Sequence, residues 1–136
     1  MRDKPLPAVK ALIQQNGKLL VLKTMAAEKT YYVLPGGKIE YGEEPLEALQ
    51  RELEEEISCE AKIGEPVGMY DFFTGSKSDS NQVVLTVFKA DIDDQEVDIS
   101  NNPADEGIDE ALWMKPEEFL EASENESLKD LIRQSF

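Results

Sequence analysis

Glu52, Glu55 and Glu56 crowd into the run Arg51-Glu52-Leu53-Glu54-Glu55-Glu56. The periodicity around them predicts a helix over residues 45–57. At about 100° per residue, Leu46, Leu49, Leu53 and Ile57 then fall within roughly 80° of one another and form a buried stripe. Glu52 and Glu56 are an i,i+4 pair on one flank of that stripe, and Glu55 lies about a quarter-turn further round. Like charges at this spacing cost a few tenths of a kcal/mol per pair, roughly, and more when half buried. A divalent cation between them would remove the cost. Hard carboxylate oxygens suit Mg²⁺, with Mn²⁺ the alternative, each bound through a few carboxylates, water and phosphate oxygens.

Composition narrows the chemistry by exclusion. The chain has no histidine, which removes Ser-His-Asp and Cys-His catalysis, imidazole bases and most catalytic zinc sites. Carboxylate, lysine, tyrosine and metal-bound water remain for proton transfer. A single cysteine, Cys59, forms no internal disulfide and suits a reducing, cytoplasmic setting. Nothing in the sequence has the length of a membrane span or the core of a signal peptide. The formal net charge of −15 argues against nucleic acid or an anionic membrane as partner. A phosphate substrate would need metal plus local cations such as Lys38 or Lys77 to offset that field. Adaptation to a high-salt cytoplasm is another source of such acidity.

Gly37 is followed by Glu43 after six residues and by Arg51 after eight more. With Arg51-Glu52-Leu53-x-Glu55-Glu56, this resembles the Nudix box, G-x5-E-x7-R-E-U-x-E-E-x-G-U with U aliphatic. It departs at the end, where Ser58 stands for glycine and Cys59 takes the last apolar position. The resemblance implies Mg²⁺-dependent hydrolysis of a nucleoside diphosphate linkage. It makes Glu52, Glu55 and Glu56 the metal-binding carboxylates, with the backbone carbonyl of Gly36 or Gly37 a further ligand. Arg51 would pair with Glu43 and brace the helix rather than touch substrate. Glu55 is one candidate base. Glu106, ahead of the segment containing Trp113, is the other, with Glu110 as its runner-up and Lys38 as a phosphate contact. Ser58 adopts a left-handed helix exit less readily than glycine, so a slightly altered exit is expected.

The elements that must position these residues are legible in outline. Residues 8–14 and 18–23 flank Gln15-Asn16-Gly17 and read as a hairpin. Tyr31-Tyr32-Val33-Leu34 reads as a strand entering the Pro35-Gly36-Gly37 loop. Pro45 suits the first helical turn. Residues 61–64 form a short strand at best, 67–74 and 82–92 stronger ones, 93–107 a polar loop and 111–114 a short strand. Residues 116–121 and 127–134 look helical. The mixture predicts an α/β layer fold with a mixed sheet, occupying residues 1–136 as a single domain. It agrees with the Nudix fold, an α/β/α sandwich with a loop–helix–loop metal site.

Subfamily markers downstream of the box are absent. By elimination the resemblance implies a MutT-like nucleoside triphosphate pyrophosphohydrolase, releasing nucleoside monophosphate and pyrophosphate. ADP-ribose or another nucleoside diphosphate sugar is the alternative substrate, and a non-catalytic nucleotide sensor the alternative role. Tyr31, Tyr32, Phe72, Phe73 and Asn81 are candidates for a base pocket, each also explicable as structure. The oligomeric state is open, a homodimer included.

Overall fold

The computed structural model describes residues 4–26, 28–74, 81–103 and 107–136. Strand β1 (Leu6–Gln15) turns through Asn16 and Gly17 into β2 (Lys18–Ala26). Both turn residues have positive φ, 53° and 77°, as a two-residue primed hairpin turn requires, and Gln14 faces Leu19 across it. β3 (Lys29–Val33) and the short β4 (Gly36–Lys38) lead to helix α1 (Pro45–Ile57). Then follow β5 (Lys62–Thr74), β6 (Asn81–Asp91), β7 (Ile108–Met114), α2 (Pro116–Ala122) and α3 (Glu126–Ser135).

The sheet runs β3-β2-β1-β6-β5, with β4 paired to β1 and β7 to β2. It is mixed: β1 and β6 are parallel from Leu6–Val83 to Ile13–Ala90, and the remaining pairings are antiparallel. Alternation along β1 fills two cores. Ala8 and Leu12 meet Phe119, Leu128, Leu131 and Ile132 of α2 and α3. Val9, Ala11 and Ile13 meet Ala48, Leu49, Leu53 and Ile57 of α1. Helices thus cover both faces of one sheet, an α/β/α sandwich.

Four expectations are corrected. Residues 62–64 and 67–74 belong to one strand, β5, while Ala61 precedes it; the irregular register between Ile63 and Gly68 accommodates Pro66. As an edge strand β5 tolerates a residue without an N–H. β7 begins at Ile108, three residues earlier than the apolar run suggested. Leu46 is 47% exposed, and Ala48 takes its place in the buried face. The helix packs on β1 and β4, with Leu46 at the exposed margin of its apolar face. Finally, Ser58 adopts the left-handed conformation itself, with φ 57° and ψ 38°, and its N–H caps Glu54 O. The helix exit keeps the shape a glycine would have given it.

Candidate active site

Gly36 and Gly37 lie where β4 runs beside β1, and the ladder decides which way their polar groups point. Ile39 N–H donates to Pro7 O at 3.1 Å and Ala11 N–H to Pro35 O at 2.8 Å. These mark hydrogen-bonded pairs at both ends of the ladder, and antiparallel pairs alternate. Val9–Gly37 is therefore a hydrogen-bonded pair, and Lys10–Gly36 is not. Both polar groups of Gly36 turn outward from β1, where side chains meet them. Its N–H donates to Glu56 Oε1 at 2.7 Å. Its carbonyl accepts from Lys10 Nζ at 3.1 Å, an ammonium that also donates to Leu34 O at 2.9 Å.

Only glycine fits here. Gly36 has φ +134°, and a Cβ would stand 2.1 Å from Val9 O. A Cβ on Gly37 would lie 2.6 Å from the Glu52 carboxylate carbon. Glu52 and Glu56 are buried, at 6% and 3% exposure. One carboxylate therefore packs flat on Gly37, and the other grips Gly36.

Arg51 organises the outer half of the cluster. Its guanidinium meets Glu43 twice, Nε to Oε2 at 2.7 Å and Nη2 to Oε1 at 3.0 Å. Nη2 also reaches Lys38 O at 3.1 Å. Nη1 touches Glu52 Oε1 at 3.1 Å and both Glu55 oxygens at 3.4 Å. The Arg51 hydrogen bonds, joined by the Glu40 N–H, hold the Glu43 carboxyl down at about 2, well under its usual 4.5. The same ion pairs raise Arg51 above its ordinary value. The loop from Lys38 to Glu43 is thereby tied to the middle of α1.

The donor set suits a hard cation, with two buried carboxylates and one outward-facing carbonyl around a cradle that only glycine leaves open. Among the described residues no three His, Cys, Asp or Glu side chains converge on one point. Magnesium needs no such trio, since one or two carboxylates with water and phosphate oxygens suffice.

Other candidates lie elsewhere. Lys38 is exposed, and its carbonyl rather than its ammonium joins the cluster. Glu110 is exposed on β7 opposite Lys23. Its neighbours Ala111 and Trp113 pack into the α1 core, so alternation points Glu110 to the other face. Glu106 and Lys77 lie outside the described residues. Tyr32 and Phe72 pack against the α2–α3 core, whereas Tyr31 and Phe73 are 39% and 68% exposed. Sequence reasoning passed over Lys10, whose signal was a lone cation in the apolar run Ala8-Val9-Lys10-Ala11-Leu12-Ile13.

A family model described as the NUDIX domain matches residues 4–134. Nudix hydrolase 25 of Arabidopsis thaliana is 35% identical over 104 residues, covering 65% of this chain and 59% of that protein. CTP pyrophosphohydrolase of Escherichia coli (strain K12) is 36% identical over 69 residues, 49% of this chain and 51% of that protein. The chain thus spans little more than half the length of these two relatives. The crystal structure of the MutT protein from Methanosarcina mazei Go1 shares the fold, with TM-score 0.79 and 23% identity over 98% of this chain and 95% of that one.

Proposed function

The chain belongs to the Nudix family, and from that premise we propose that it is a hydrolase of nucleoside diphosphate linkages, dependent on Mg²⁺ or Mn²⁺. We read residues 1–136 as one such domain, working in the cytoplasm on a small nucleotide. The observation that carries the reading is the placement of Glu52 against Gly37 and Glu56 on Gly36, two buried carboxylates at an outward-facing carbonyl.

Glu52, Glu56 and the Gly36 carbonyl would hold the cation; of the two glycine carbonyls, that of Gly36 turns away from β1, whereas that of Gly37 lies in the ladder. When bound, the cation neutralises phosphate oxygens and lowers the pKa of a coordinated water. Arg51 and Glu43 keep β4, the loop after it and the helix in register and aim Glu55. In the reaction, water forms a new bond to phosphorus as the bridging P–O bond breaks, and a carboxylate accepts the water's proton. Glu55 is our candidate for that base. Glu106 is the alternative and Glu110 follows it, although Glu110 sits on the face away from α1. Lys38 borders the loop as a phosphate contact.

The substrate we favour is a nucleoside triphosphate, cleaved to monophosphate and pyrophosphate in a MutT-like reaction. The similarity to a CTP pyrophosphohydrolase supports it. The test is phosphate release in the presence of pyrophosphatase, from canonical and oxidised triphosphates, ADP-ribose and nucleotide sugars, with and without Mg²⁺. Mg²⁺-dependent release from triphosphates is the expected result. Cleavage of ADP-ribose or sugar nucleotides alone would reassign the substrate, and silence on all of them would point to a nucleotide sensor.

A further inference from the structure

Lys10 is a lone cation in a strand that is apolar on both faces. Burying a lysine stem there has a use only if its ammonium reaches something worth holding. It reaches two backbone carbonyls, Leu34 O at 2.9 Å and Gly36 O at 3.1 Å. Gly36 is also the residue whose N–H Glu56 grips at 2.7 Å. One residue thus carries an anion on its N–H and a cation on its carbonyl, with the Glu52 carboxylate packed on its neighbour Gly37. Lys10 and Gly36 are ladder partners in the β1–β4 register.

We propose that the Lys10 ammonium is a built-in competitor of the divalent cation at the Gly36 carbonyl. With Arg51 on Glu52, it contributes positive charge at the site in the cation-free protein, and it yields that oxygen when a cation coordinates there. The inference rests on the reading of Glu52 and Glu56 as cation ligands and adds a consequence to it. A unit positive charge a few ångströms from a divalent cation opposes its binding. The lysine therefore lowers intrinsic cation affinity. It weights occupancy toward the moment when substrate phosphates bring further negative charge, and in doing so it limits idle metal binding by a chain of net charge −15.

The test is Mn²⁺ titration of the nucleotide-free full chain, followed by electron paramagnetic resonance of free Mn²⁺, with folding checked by circular dichroism. Lys10→Gln and Lys10→Met should bind Mn²⁺ on the order of tenfold tighter than the native protein, and Lys10→Arg should stay close to native. A lysine that merely supports the loop would give the opposite result, weaker binding in the neutral variants. Equal or weaker binding overturns this inference alone, provided that Glu52→Gln abolishes the native binding. Absence of binding in every protein overturns the cation-site reading as well. If the neutral variants do not fold, the native protein decides: saturation with Mg²⁺ should shift the NMR signals of the Lys10 ε-methylene. Signals that stay in place overturn the proposal.

Discussion

Arg51 holds Glu43 by two parallel hydrogen bonds, at 2.7 and 3.0 Å, and so clamps the loop ahead of α1 to the middle of the helix. A guanidinium fork matches a carboxylate in this way, and an ammonium does not. The clamp places Glu43 and Lys38 O on one side of Arg51, with Glu52 and Glu55 on the other.

This pair should be visible in acid. The folded-state value for Glu43 is about 2, below the ordinary 4.5, mainly through the Arg51 hydrogen bonds. Its contribution is therefore complete above about pH 4.5 and is lost as the pH falls from there toward 2. Urea midpoints measured across that window should fall less steeply for Glu43→Gln than for the native chain. Parallel curves would show that the pair contributes nothing to the acid response.

Glu52→Gln and Glu56→Gln should keep the fold, since each removes a buried like charge and glutamine at 56 still offers an oxygen to the Gly36 N–H. Turnover at saturating Mg²⁺ should drop by on the order of a hundredfold or more, through loss of an anionic ligand. Near-native rates in either variant would remove that residue from the cation site.

Gly36→Ala should be severe. The new Cβ meets Val9 O at 2.1 Å with φ at +134°, so the strand must move or the turn must rebuild. We expect a loss of about 3 kcal/mol or more, read from chemical denaturation. A loss under about 1 kcal/mol would mean that β4 relaxes freely.

At the helix exit, Ser58→Gly should stabilise the chain by about 1 kcal/mol, because glycine takes the left-handed conformation without the Cβ penalty. Ser58 is exposed there, so little packing is lost. The midpoint of thermal unfolding reports it, and an unchanged or lower midpoint would show that the serine relieves its strain by another route.

Short-range chemistry was legible in the sequence. The limits of α1 follow from apolar periodicity and Pro45, the primed turn from Asn16-Gly17, and the carboxylate cluster from spacing within one helix. Each depends on residues within a turn or two of one another. Even there, Leu46 went astray, because periodicity gives a helix its apolar side but says nothing of how far the opposing sheet extends.

The tertiary structure decided what long-range register controls. β5 was read as two pieces because Gly64 and Pro66 look like punctuation, and only its place at the sheet edge makes a proline harmless there. Lys10 stands 26 residues from Gly36 in the chain, and the two meet because β1 and β4 pair in one register. Shifting that register by one residue would turn the Gly36 carbonyl into the ladder and away from the lysine, since strand groups alternate with a period of two. Sequence alone therefore determined which side chains could do the chemistry. The ladder decided which backbone oxygen faces them and which cation already sits on it.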